Sequence, residues 1–109
     1  MMQKGIETMK FIITVIESHK FEDVRDSLQE LGIDALTVFE VKRYGSTMGH
    51  REIYRAADYS VGFMPHSRIE CVVPDEDVDA VVDRLRKTAF SDDLGEEGVI
   101  ILPCEWQIL

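Results

Sequence analysis

Apolar positions along the chain switch between strand-like and helix-like spacing. Residues 11–16, Phe-Ile-Ile-Thr-Val-Ile, are rich in β-branched side chains and read as a strand. From Phe21 the period becomes helical. Phe21, Val24, Leu28 and Leu31 fall on one face, with Glu22, Asp23 and Arg25 turned away. Gly32 supplies the stop. A second strand is expected from Ala35 to about Tyr44, through Thr37, Val38, Phe39 and Val41, and a third over residues 68–73. Residues 74–77, Pro-Asp-Glu-Asp, open a second helix whose stripe is Val78, Val81, Val82, Leu85 and Ala89. Acids crowd its first turn, and Arg84, Arg86 and Lys87 gather near its end, as the helix dipole favours. Residues 91–98 are polar and contain glycine, a loop composition. Residues 99–102 are apolar throughout, which predicts a central strand ended by Pro103.

The order β-α-β-β-α-β is that of the ferredoxin-like split βαβ arrangement, an α+β fold with an antiparallel sheet. Two helices would cover one sheet face. The other face must be hidden elsewhere, and Phe39, Val72 and Trp106 are the candidates for subunit contacts. Trp106 itself is read chiefly as packing against its own sheet. One feature breaks this compact pattern: more than twenty residues separate Tyr44 from Arg68. Hairpins need two to five, and longer connections are usually functional or disordered. The segment mixes glycines, charges and two tyrosines, and it reads as a loop that contacts a partner.

Composition narrows the function. The chain has 109 residues, 45% of them hydrophobic, enough for one modest core. Its net charge of -9 disfavours nucleic acid and anionic lipid, both of which are held through Lys and Arg. No stretch approaches a membrane span. The two cysteines form no disulfide framework, and Cys71, alternating with Ile69 and Val73, reads as a buried hydrophobe. A cytoplasmic setting is expected. Residues 1–8 lack the apolar run of a signal peptide and are expected to be a flexible tail, with the domain over 9–109.

The long loop and its flanks carry a specific pattern: Leu36-Thr37-Val38, Glu40-Val41-Lys42, Gly45, Gly49-His50, Glu52 and Tyr54-Arg55-Ala56-Ala57-Asp58-Tyr59. Phe63-Met64-Pro65 and the run from Ile69 to Asp75 extend it. These segments resemble the PII nitrogen-regulatory family, and the similarity runs without a gap from Met9 to about Pro103. The resemblance implies a homotrimer of ferredoxin-like subunits. It also implies adenine nucleotides in the clefts between subunits, and a T-loop that docks on a transporter or enzyme. Thr37, Arg43, Gly45, Ser46, Val72 and Gly95 are then the ligand-binding candidates. His50, Arg51, Tyr54, Arg55 and Tyr59 are the partner-contacting ones, and Tyr59 matches a tyrosine that some members carry modified.

The departures shape the effector expected. The family's glycine-rich loop ends Gly-Asp-Gly-Lys, where this chain has Gly95-Glu96-Glu97-Gly98. A carboxylate beside a phosphate costs on the order of 1 kcal/mol even at aqueous dielectric. The family's C-terminal arginines have no counterpart in Glu105-Trp106-Gln107-Ile108-Leu109. Thr47 and His66 stand where the family has a glutamine and a lysine for magnesium and 2-oxoglutarate. Arg43 replaces a glycine and adds a cation. AMP, ADP or a smaller anion such as bicarbonate is therefore expected in place of 2-oxoglutarate with ATP.

No Ser-His-Asp set or activated cysteine is suggested by spacing, and His19, His50 and His66 lack zinc spacing. The expected protein is a regulator in nitrogen or inorganic-carbon metabolism, without an obligatory cofactor or metal, and not an enzyme. A ligand-independent adaptor on the same scaffold is the alternative.

Overall fold

The computed structural model describes residues 6–43, 64–90 and 98–109. Four strands, β1 (Ile6–Glu17), β2 (Thr37–Arg43), β3 (Met64–Pro74) and β4 (Val99–Gln107), alternate with two helices, α1 (Phe21–Glu30) and α2 (Val78–Thr88). Short 3-10 turns, Ser18–Lys20 and Asp75–Asp77, lead into the helices. The antiparallel sheet has the order β2-β3-β1-β4, which is the ferredoxin-like order expected from the sequence.

Alternation along the strands sorts the side chains into two faces. Ile12 and Ile16 of β1 and Ile69, Cys71 and Val73 of β3 are buried with Val24 and Leu28 of α1 and Val81 and Leu85 of α2. Each such Ile or Leu contributes roughly 1.5–3 kcal/mol by leaving water. Helix α1 ends in a Schellman motif. Gly32 N–H donates to the Gln29 carbonyl at 2.9 Å and Ile33 N–H to that of Leu28 at 3.1 Å. Gly32 has φ +90°, a conformation a side chain would strain. The helices are tied together by Arg84. Its Nη1 donates to the Ser27 carbonyl at 2.9 Å and meets Glu30 Oε1 at 2.8 Å.

Two expectations about β4 are corrected. β4 is an edge strand, not a central one, although it is apolar throughout. It also runs past Pro103 to Gln107. An edge strand tolerates proline where the missing N–H would have faced outward. That extension gives the start of β1 a partner: Ile6 pairs with Gln107 and Thr8 with Glu105. The sheet therefore begins inside the segment expected to be a tail over 1–8, and residues 1–5 lie outside the described residues.

Leu85 is 1% exposed at the centre of the helix–sheet layer. Leu85→Ala is expected to lower stability by about 2–5 kcal/mol. Urea unfolding should show a lower midpoint with an unchanged slope.

Candidate functional site

Among the described residues, no helix or strand packs over the sheet face away from the helices. Phe39, Ile100, Leu102 and Trp106, all on it by alternation and register, are exposed. Arg68 and Glu70 sit among these apolar groups as an ion pair at 2.9 Å. A cleft of about 460 Å³ opens at one end of this face. Its floor is Met9 and Phe11 of β1 with Glu70 and Val72 of β3. One wall is Asp34, Ala35, Leu36 and Thr37, the segment that the Schellman turn of α1 delivers to β2. Trp106 of β4 is the other.

Two of the six ligand candidates from the sequence, Thr37 and Val72, line this one cleft. Arg43 does not. It lies six residues further along β2, about 20 Å away at strand rise, but on the same sheet face as Thr37. Gly45, Ser46 and Gly95 lie outside the described residues, as do His50, Arg51, Tyr54, Arg55 and Tyr59. Sequence reasoning missed Met9, Phe11, Asp34 and Glu70. Their signal was weak, because a lone acid before a strand and an apolar alternation look the same with or without a cleft. The lining carries two carboxylates, Asp34 and Glu70, and no lysine or arginine among the described residues.

The described ends of the two long connections are anchored. Arg43 pairs with Met64 and Val41 with His66, closing the ladder at the base of the first. Ser18 and Ser67 share a hydroxyl hydrogen bond at 3.0 Å beside it, and His66 is 5% exposed. Around the second connection, Lys20 Nζ donates to the Ala89 carbonyl at 2.9 Å at the end of α2. Thr14 Oγ1 donates to the Gly98 carbonyl at 3.0 Å just before β4. Thr14 is otherwise buried, so this bond satisfies a hydroxyl that would be costly to leave alone. No group of three His, Cys, Asp or Glu suited to a metal occurs among the described residues. No helix among them is long and apolar enough to cross a membrane.

A split βαβ sheet with both helices on one face, a bare apolar face and a small-molecule-sized cleft defines a ferredoxin-like α+β domain. Residues 9–103 match the family model described as Nitrogen regulatory protein P-II, and the chain belongs to that family. It is 44% identical over 93 residues to Nitrogen regulatory protein P-II 1 of Escherichia coli K12, covering 85% of this chain and 83% of that one. It is 40% identical over 93 residues to Nitrogen regulatory protein GlnK of the same strain, with the same coverage. A crystal structure of Arabidopsis thaliana PII bound to citrate shares the fold, with TM-score 0.66 and 18% identity over 88% of this chain and 74% of that one.

Beneath the cleft, β3 turns the Cys71 side chain into the core. Burial pushes its thiol up to about 11, from an ordinary value of 9.0. Between those values the unfolded chain releases a proton that the folded chain keeps. This contribution to stability is intact below pH 9 and falls away as the pH rises toward 11. Cys71→Ala should flatten that alkaline slope in pH-dependent urea midpoints. In the native wild type at pH 8, iodoacetamide should leave Cys71 unmodified, by peptide mass analysis, until the chain is unfolded.

Proposed function

We propose that the chain is a signal-transduction regulator, not an enzyme, whose cleft takes the base of an adenine nucleotide, AMP or ADP. The observation that carries this reading is that Thr37 and Val72 line one cleft while Arg43 shares their sheet face further along β2. A base at Thr37 with its sugar directed along β2 would carry a short phosphate chain toward Arg43. Asp34 in the cleft disfavours phosphate there, and its carboxylate, with that of Glu70 already held by Arg68, suits the amino edge of a base, since an ionised carboxylate only accepts hydrogen bonds. A long anionic chain gains little from such a site, hence AMP or ADP before ATP. Bicarbonate is the smaller anion that could use Arg43 alone.

In this reading the bare face is the contact between three copies, and the neighbour completes the cleft as a subunit site. Phe39, Ile100 and Leu102 are the groups an interface would take out of water. The loop after Arg43, with Gly45 and Ser46 at its base and Tyr59 as a possible modification point, reports ligand state. Its target is a membrane transporter or metabolic enzyme in nitrogen or inorganic-carbon metabolism, in the cytoplasm. The buried His66 cannot extend an ammonium as a lysine would, which supports indifference to 2-oxoglutarate. The lack of a lysine or arginine among the described residues of the cleft lining also favours a second reading, an adaptor that regulates without any ligand.

Light scattering should give about three times the chain mass of 12.5 kDa. A stable monomer at micromolar concentration would remove the subunit cleft. Calorimetric titration is the deciding test of function. AMP or ADP should bind saturably, and 2-oxoglutarate should add no heat with or without Mg-ATP. Arg43→Ala should weaken the nucleotide on the order of tenfold or more, the scale of one charge-assisted hydrogen bond, while the trimer persists. No heat with any nucleotide or with bicarbonate would leave the adaptor reading standing.

A further inference from the structure

We propose that Arg68 is the residue that meets the first phosphate of the nucleotide, one step beyond the cleft and ahead of Arg43. This rests on the reading of the cleft as a base site and adds to it a residue that the family pattern does not mark. Register supplies the first argument. Thr37 is paired with Glu70, Phe39 with Arg68 and Arg43 with Met64, so these residues share one sheet face at successive levels away from the cleft. Arg68 stands two residues from the level of Thr37, about 7 Å of strand rise, against about 20 Å for Arg43. A single ribose bridges the shorter gap. Only a longer chain bridges the other.

The guanidinium is also anchored from the cleft side. Arg68 Nε donates to Glu70 Oε2 at 2.9 Å, and Glu70 lines the cleft. That bond uses one of five N–H donors and leaves the two terminal amino groups, a fork that fits a phosphate. The pair is poorly suited to an apolar contact between copies. Phe39, Ile100 and Leu102 are the groups on this face that gain by leaving water. An ion pair taken with them loses hydration that its own attraction repays only in exacting geometry. A phosphate instead brings a charge that the guanidinium can use. Because Glu70 shares that guanidinium, the gain is that of one charge-assisted hydrogen bond.

Calorimetric titration of the intact wild-type protein with adenosine, AMP and ADP isolates each phosphate. AMP should bind on the order of tenfold or more tighter than adenosine. Arg68→Gln should remove most of that ratio and move adenosine far less. Arg43→Ala should fall on ADP more than on AMP. Glu70→Gln keeps the guanidinium, so it should move adenosine and AMP together and leave their ratio at least as large as in the wild type. The proposal is overturned if Arg68→Gln keeps the wild-type ratio. It is equally overturned if Glu70→Gln lowers the ratio as far as Arg68→Gln does, since Arg68 would then act only by holding Glu70. If Arg68→Gln loses the wild-type mass by light scattering, Arg68→Lys takes its place. That variant keeps the charge without the fork and should lower the ratio severalfold; an unchanged ratio overturns the proposal. If adenosine and AMP bind the wild type equally, this proposal falls and the base reading stands. If neither binds, the base reading falls and this proposal with it.

Discussion

Strand β1 is hydrogen-bonded along both edges, to β3 over Met9–Glu17 and to β4 over Ile6–Thr14, and β3 in turn carries β2 on its other edge. Its alternate side chains must satisfy two different environments at once. Ile12 and Ile16 vanish under the helices, while Met9 and Phe11 point to a face that no described element of the chain covers. Two helices can cover one side of a four-stranded sheet and no more. The bare face with its large apolar groups is therefore a consequence of the element order itself, and so is the cleft at its end. A domain of this size has little core to spare, so burying that face would add to its stability.

The same strand fixes the ends of the chain's long connections. Thr14 reaches the Gly98 carbonyl, and Ser18, just past the end of β1, meets Ser67 of β3. Lys20 closes the end of α2 from the first 3-10 turn. These are polar bonds at half-buried places, where each is worth about 0.5–1.5 kcal/mol net and costs more if one partner is removed. They hold the described flanks of both connections in register with the sheet. Whatever a loop does in such a protein, its base is part of the rigid frame. A change at the base is then felt by the ladder formed by Arg43, Val41, Met64 and His66.

Much of the frame was legible because period carries it. The stripe Phe21, Val24, Leu28, Leu31 followed by Gly32 gave helix, face and terminus, and the Schellman bonds are the physical content of that glycine. Position in the sheet was not legible. Residues 99–102 read as central because they are apolar on both sides, yet β4 lies at an edge. An apolar run reports that both faces avoid water. It does not report whether a neighbouring strand, a helix or another molecule does the covering. The extension beyond Pro103 was hidden for a related reason, since a proline breaks a ladder only where its N–H is needed. At the site, Thr37 and Val72 came from the resemblance and share a cleft, whereas Asp34, Glu70 and Phe11 came into view only when the strands were in register.

Arg43 shows how strand geometry constrains the chemistry open to such a site. A cation at Thr37 itself would neutralise a phosphate in the cleft and would also pair with Asp34 or Glu70 when the cleft is empty. Six residues of β2 keep Arg43 about 20 Å away, yet an even number of residues keeps it on the same face. One strand thus places Thr37 at the cleft and Arg43 on the same face at a distance from it. The nucleotide proposed above would place its ring at the cleft and its negative charge toward Arg43. Negative charge at the cleft end would meet the carboxylate of Asp34, since Glu70 is already held by Arg68 at 2.9 Å. That separation follows from the pleat and rise of a single edge strand.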